Sequence, residues 1–67
     1  MSVTVDARGL RCPWPVLRLA RAMRDADGVS IFADDPQAPV EIAALAAEHG
    51  WTVTPLGEHG FRVEKPA

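Results

Sequence analysis

The sequence predicts an α+β fold, a two-layer α/β sandwich in which two helices cover one face of a four-stranded mixed sheet. Short segments with alternating apolar and polar residues, typical of half-buried strands, are separated by two segments with helical periodicity. These segments follow one another in the order βαβαββ. The alternation indicates that one face of the sheet is uncovered, because strands buried on both faces are apolar throughout.

The first strand and the first helix are predicted within residues 3–27. Residues 3–6 alternate between apolar and polar side chains and form the first predicted strand, and Gly9 marks the turn that follows it. Cys12 is the expected N-cap of a helix that begins at Pro13, because proline is tolerated in a first turn. Four apolar residues share the face that would contact the core: Val16, Leu19, Ala20 and Met23. The expected stop is Gly28.

The second half of the chain repeats the strand and helix and then adds a hairpin. Residues 29–33 form the second predicted strand, and a helix follows that begins at Pro36 or Pro39 and ends at Gly50. Its apolar positions have the i, i+3, i+4, i+7 spacing: Ile42, Leu45, Ala46 and His49. Two last strands, 51–54 and 61–64, are joined by the turn at 56–60.

The strand alternation assigns side chains to the two faces of the sheet. The residues expected under the helices are Val3, Val5, Ile31, Val53, Phe61 and Val63. The residues expected on the open face are Thr4, Ser30, Thr54 and Glu64. Phe32 also falls on the open face, and the pattern gives no reason for an aromatic residue there. Trp51 is expected in the core.

Length and composition predict a single domain, residues 1–67, without membrane association. A chain of 67 residues buries only about 60% of its unfolded surface, too little to divide between two cores. The longest apolar run, residues 42–47, is far shorter than the roughly 20 residues of a membrane helix, and no signal peptide pattern is visible. The single cysteine, Cys12, excludes an internal disulfide and fits a cytoplasmic location.

The charge is unevenly distributed along the chain. The net charge of -2 argues against direct nucleic-acid binding by neutralisation of phosphates. Residues 1–24 nevertheless carry five arginines and one acid, whereas residues 25–67 carry eight acids and two basic residues. The basic end is the end that contains Cys12. A solvated helix face is the alternative interpretation of the arginines.

The predicted position of Cys12 favours a reactive thiolate. A helix N-terminus has a partial positive charge and unpaired N–H donors, and both favour a thiolate. Pro13 and Pro15 lack an N–H, so two donors remain for the sulfur: Trp14 and Val16. Neighbouring guanidinium groups should support the anion further: Arg11, and Arg8 if it reaches the sulfur. The alternative is a buried, unreactive structural cysteine.

A single thiolate allows few reactions. Redox cycling of the C-x-x-C type is excluded because Pro15 occupies the second cysteine position. His49 and His59 are expected to cap or to face solvent, so a Cys-His catalytic pair is disfavoured. A metal site built from these histidines and Cys12 lacks the usual ligand spacing. We therefore expect no metal and no cofactor, and the remaining chemistry is the transfer of a group from one protein to another.

The outer face of the first helix predicts a docking surface. Trp14 lies opposite the apolar stripe, in register with Arg18 and Arg21, and Leu17 lies on the same side. Trp and Arg are enriched in interface hot spots, so these residues are candidate partner-binding residues. Alternatively, Trp14 covers Arg18 as a cation–π pair.

Residues 5–15, Val-Asp-Ala-Arg-Gly-Leu-Arg-Cys-Pro-Trp-Pro, resemble the signature of the TusA-like (SirA-like) sulfur carriers. That signature has an aspartate, then Gly-Leu, then Cys-Pro-x-Pro at the start of the first helix. Residues 33–36, Ala-Asp-Asp-Pro, are similar to the segment that precedes the second helix of the family. The resemblance extends over nearly the whole chain. Glu41 stands where many relatives carry aspartate, and Trp14 occupies the variable position of the motif.

The resemblance implies a function and a fold, the same βαβαββ sandwich. In this family the motif cysteine, here Cys12, accepts sulfane sulfur as a persulfide from a cysteine desulfurase or a rhodanese. It then passes the sulfur to an acceptor protein in tRNA thiolation, molybdenum-cofactor assembly, selenium metabolism or sulfur oxidation. Pro13 and Pro15 form the helix N-terminus part of the motif. We expect a monomeric sulfurtransferase-type carrier.

Two alternatives belong to other classes of protein. One is a non-catalytic regulatory or adaptor module that binds a protein through Trp14, Arg18 and Arg21. The other is an enzyme that thiolates tRNA directly, against which the acidic balance and the lack of a glycine-rich nucleotide motif argue.

Overall fold

The chain forms four strands and two helices in the order βαβαββ, as a computed structural model describing residues 2–67 shows. The elements are β1 (Ser2–Asp6), α1 (Trp14–Met23), β2 (Gly28–Phe32), α2 (Ala38–His49), β3 (Thr52–Leu56) and β4 (Gly60–Glu64). The predicted fold class is confirmed. Neither helix within residues 2–67 has the length and apolar character needed to cross a bilayer.

The sheet is mixed, with the strand order β1-β2-β4-β3. β1 and β2 are parallel, and β4 is antiparallel to both of its neighbours. β3 is an edge strand, which is why it tolerates Pro55. Because β1 and β2 run in the same direction, the loops that follow them leave the sheet at the same end. The candidate site lies at that end of the sheet.

The bounds of α1 differ from the prediction at both ends. The helix begins at Trp14, one residue later than expected, and ends at Met23, well before Gly28. Gly28 instead opens β2, and a Cβ atom there would lie 2.5 Å from Nη2 of Arg62. This glycine is therefore the first residue of a strand rather than a helix stop, and the guanidinium of Arg62 lies over it. α2 ends as predicted, because Gly50 takes the left-handed conformation with φ +73°.

Both helices bury one narrow face against the sheet. In α1 the buried residues are Pro15, Leu19 and Met23. The predicted core positions of Leu19 and Met23 are therefore confirmed, whereas Val16 and Ala20 are only half-buried. α2 buries small residues together with Ile42. The core cluster consists of Ala7, Leu19, Met23, Val29, Ile31, Ala33, Ala38, Ile42 and Val63.

The predicted faces of the sheet are largely those observed. Val5, Val53 and Phe61 pack against the core cluster as partly buried residues, and so does Trp51. Val3 is the exception: it is 37% exposed because β1, like β3, is an edge strand of the sheet. On the open face, three of the expected residues are exposed and Ser30 is half-buried.

The structure explains Phe32, which lies on the open face opposite Gly60. A Cβ atom on Gly60 would be 2.7 Å from Cε1 of Phe32 and would contact the carbonyl oxygen of Leu56. The aromatic ring therefore covers the glycine of the neighbouring strand, a cross-strand arrangement that protects a position without a side chain.

Candidate functional site at the Cys12 loop

Cys12 lies in the loop between β1 and α1, and its side chain is exposed. The prediction that it is the N-cap of the first helix is wrong, since that position belongs to Pro13, and the Cys12–Pro13 peptide bond is cis. The reason is a turn that precedes the helix. The N–H of Trp14 donates to the carbonyl oxygen of Arg11 at 2.9 Å, so this donor is used by the backbone.

Two aspartates that follow β2 hold the backbone of this loop. The N–H of Gly9 donates to Oδ1 of Asp34 at 2.9 Å. The N–H of Cys12 donates to Oδ2 of Asp35 at 3.2 Å, and the other oxygen of Asp35 accepts from the N–H of Gln37 at 2.8 Å. Asp35 therefore links the cysteine loop to the residue that precedes α2.

The Cys12 thiol donates a hydrogen bond to a carboxylate of α2. Its Sγ lies 2.7 Å from Oε2 of Glu41, which is in the first turn of that helix. The second oxygen of Glu41, Oε1, is buried and has no hydrogen-bond partner within residues 2–67. The thiol is thus a hydrogen-bond donor to a carboxylate whose other oxygen has no hydrogen-bond donor in this part of the chain.

These contacts raise the pKa of Cys12. The main cause is the hydrogen bond to Glu41, followed by partial loss of hydration and by the negative charges of Glu41 and Asp35. The prediction that the surroundings favour the thiolate is therefore wrong for this arrangement, because a deprotonated sulfur would face two carboxylates. The thiolate-supporting role of Arg11 stays a prediction.

Arg8, the other guanidinium considered near the sulfur, is paired with Asp6. Its Nε and Nη2 donate to the two carboxylate oxygens of Asp6 at 2.9 and 3.0 Å. The side-chain hydrogen bond from Arg8 is the main reason that the pKa of Asp6 falls to about 2. Because the fork of Arg8 is taken up by this bidentate pair, its charge is directed to Asp6.

The predicted docking residues lie together along an open groove between α1 and β1. Trp14 is 58% exposed and Leu17 is 49% exposed. The groove is lined by Val5, Trp14, Leu17, Arg18, Arg21, Ala22 and Asp25. We call this surface the α1 groove. It begins two residues after Cys12 and combines exposed apolar surface with two arginines.

The two histidines contact groups other than Cys12. His49 stacks on Trp51, with ring centroids 4.5 Å apart and an angle of 13° between the planes. His59 is exposed beside Glu58 in the turn between β3 and β4. Over the described range 2–67, no three His, Cys, Asp or Glu residues are grouped as a metal site.

Sequence analysis named the acidic residues of the site only as part of the family resemblance and did not place them beside Cys12. Asp34, Asp35 and Glu41 precede or open α2, more than 20 residues after the cysteine loop. The feature that would place them there is the sheet topology, because two neighbouring parallel strands place the loops that follow them side by side. The sequence patterns did not give the order of the strands in the sheet.

The fold and the site define a small α+β domain that presents one exposed thiol in the loop after its first strand. The chain belongs to the TusA family: the family model described as "Sulfurtransferase TusA" matches residues 3–65. It is 33% identical over 60 residues to "Putative sulfur carrier protein NMA0882" of Neisseria meningitidis, with 85% of this chain and 81% of that protein covered. It is also 41% identical over 49 residues to a "Putative sulfur carrier protein" of Archaeoglobus fulgidus, with 69% of this chain and 64% of that protein covered.

Proposed function

We propose that this protein is a sulfur carrier that accepts sulfane sulfur on Cys12 as a persulfide and passes it to an acceptor protein. The observation that carries the proposal is the exposed Cys12 thiol, presented on a loop whose backbone Asp35 holds. Membership of the TusA family and relatives named as sulfur carriers support it.

The transfer consists of two exchanges at sulfur. Cys12 Sγ attacks the outer sulfur of a donor persulfide, a new S–S bond forms, and the S–S bond of the donor breaks. The donor leaves as a thiolate and takes up one proton, which balances the proton that Cys12 loses. A nucleophile of the acceptor then attacks the same outer sulfur, and Cys12 leaves and regains a proton. Sulfur moves without net oxidation, so the exchange itself requires no cofactor.

The partners are proteins that dock on the α1 groove. The donor is a cysteine desulfurase or a rhodanese, and the acceptor belongs to tRNA thiolation, cofactor biosynthesis or sulfur oxidation. The exposed Trp14 supplies an apolar anchor, while Arg18 and Arg21 supply charge that complements an acidic partner surface. We place the carrier in the cytoplasm, a compartment that its lone cysteine fits, and propose that it is a monomer.

Intact mass spectrometry tests the proposal directly. Incubation with a cysteine desulfurase and cysteine, or with a rhodanese and thiosulfate, should add about 32 Da to the protein, the mass of one sulfur in a persulfide. Cys12→Ser should gain nothing while keeping the far-ultraviolet circular dichroism of the folded protein. A wild-type protein that stays unmodified with every donor would contradict the carrier function.

A non-catalytic adaptor is the second candidate function, and the exposure of Trp14 and Leu17 favours it. An adaptor needs the α1 groove but not the sulfur. In cells that lack the protein, Cys12→Ser should restore the phenotype if the protein is an adaptor and should fail to restore it if the protein is a carrier.

A further inference from the structure

We propose that Glu41 is the positioning residue for Cys12, and that the pair selects partners that bring a cationic group to the sulfur. In the free carrier the thiol donates a hydrogen bond to the Glu41 carboxylate. When the sulfur reacts, a cationic group of the docked partner pairs with that carboxylate in place of the thiol. The biological purpose of the pair rests on the proposed function, but its chemistry can be tested without it.

The geometry of Glu41 makes it dependent on the thiol. The Sγ to Oε2 distance is 2.7 Å, and Oε1 is buried without a partner in residues 2–67. A carboxylate normally accepts several hydrogen bonds, and a partly dehydrated one that lacks them holds its remaining donor firmly. Loss of the thiol proton would leave two anions at this distance, so the contact favours the protonated thiol, and a cation beside Glu41 would reduce that preference.

The position of the sulfur is set by the residues around α2 rather than by the start of α1. Asp35 binds the backbone N–H of Cys12, and Glu41 binds its side chain. The loop is thus fixed at two points to one segment of the chain. A partner that contacts this segment therefore acts on the orientation of the thiol as well as on its charge.

The charged groups that face Cys12 are predominantly acidic. Glu41 and Asp35 lie against it, and Asp34 binds the same loop at Gly9. Arg11 precedes Cys12 in the chain. An anionic reactant that approaches the sulfur meets repulsion from the carboxylates, whereas a reactant with a cationic group is attracted and supplies the missing compensation.

The first test measures the pH dependence of alkylation by iodoacetamide, a neutral probe. Glu41→Gln should lower the midpoint of the profile by about one pH unit or more and raise the rate at pH 7 about threefold, because a larger thiolate fraction outweighs a weaker nucleophile. Glu41→Asp, which keeps the charge but withdraws it, should give an intermediate midpoint. Glu48→Gln, an exposed glutamate two turns further along α2, is the matched control and should leave the profile unchanged.

The second test compares a cationic and an anionic methanethiosulfonate, carrying trimethylammonioethyl and sulfonatoethyl groups. The wild type should react faster with the cationic reagent. The rate ratio should fall about threefold or more in Glu41→Gln, and added salt should reduce it. Glu48→Gln should retain the wild-type ratio.

Either of two results overturns the inference: a midpoint that does not move in Glu41→Gln, or a charge ratio equal to that of the wild type. Circular dichroism of each variant establishes that the comparison is made on folded protein. Neither test uses a persulfide donor or a partner protein. Failure here therefore leaves the persulfide experiment standing, and failure of persulfide formation leaves the Glu41 measurement standing.

Discussion

The carboxylate of Asp35 accepts a hydrogen bond from the backbone N–H of Cys12 at 3.2 Å. Its other oxygen accepts from the N–H of Gln37, so one side chain joins the cysteine loop to the start of α2. Asp35→Ala removes both contacts at once. We expect it to lower the free energy of unfolding by about 1 kcal/mol, the net value of an exposed or half-buried hydrogen-bond pair.

The same substitution should loosen the loop more than the domain. Amide hydrogen exchange at Cys12 should become faster in Asp35→Ala, while exchange in β2 and β4 should change only as far as the overall stability does. Gln37→Ala retains the Asp35 carboxylate and is the control. Equal exchange at Cys12 in the wild type and in Asp35→Ala would contradict the role of the aspartate.

Substitutions in the α1 groove should slow sulfur transfer without unfolding the domain. Trp14→Ala, Arg18→Ala and Arg21→Glu remove exposed groups, and each should reduce the transfer rate at least about fivefold, which corresponds to about 1 kcal/mol of lost partner binding. Arg24→Glu makes a similar charge change at the end of α1, outside the groove lining, and serves as control. Unchanged transfer kinetics in all three variants would remove the α1 groove as a docking surface.

Gly60 should not tolerate a side chain. A Cβ atom there would contact the carbonyl oxygen of Leu56 and lie 2.7 Å from Cε1 of Phe32. Gly60→Ala should therefore lower the free energy of unfolding by about 1 to 3 kcal/mol, the usual cost of overpacking.

Gly57, in the preceding turn, provides the comparison. It has φ +64° and open space where a Cβ atom would lie, so Gly57→Ala introduces backbone strain of about 1 kcal/mol but no overlap. Denaturant unfolding of the two variants measures the difference. A smaller loss in Gly60→Ala than in Gly57→Ala would show that the sheet accommodates the methyl group.

The ion pair between Asp6 and Arg8 predicts an acid-range effect. The pKa of Asp6 lies at about 2 in the folded protein against an ordinary value of 3.8. Because the folded value is the lower one, the pair stabilises the fold above pH 3.8, and this contribution is lost as the pH falls through about 2.

Carboxyl chemical shifts followed by nuclear magnetic resonance during an acid titration give the midpoint for Asp6 directly. Arg8→Gln should move it part of the way back towards 3.8, since the side-chain hydrogen bond from Arg8 is the largest cause of the shift while the backbone N–H of residue 8 still donates to Asp6. Arg24→Gln, which changes an arginine elsewhere, should leave the midpoint near 2. The same midpoint in Arg8→Gln as in the wild type would assign the shift to another cause.

Patterns within single elements were sufficient to predict the fold. Alternation along the strands indicated the order of elements and the uncovered face, and helical spacing placed Trp14 and Leu17 on the exposed side of α1, where they lie. Such predictions succeed because burial of a helix or strand depends on periodicity, which is local in sequence.

The surroundings of the thiol depend on contacts between distant parts of the chain. Cys12 and Glu41 are 29 residues apart, and their hydrogen bond requires the parallel pairing of β1 and β2. The start of α1 was misplaced because a backbone turn from Arg11 to Trp14 competes with the expected cap. A helix N-terminus predicted from proline positions alone therefore led to the wrong sign for the pKa change of Cys12.

The two tryptophans give the molecule a built-in optical readout. Trp14 is exposed beside the reactive loop, whereas Trp51 is half-buried and stacked on His49. Indole emission responds to solvation, so a molecule that settles near the sulfur changes the fluorescence of the first residue and spares the second. Replacement of Trp51 by phenylalanine would leave a single native fluorophore with which to time each encounter.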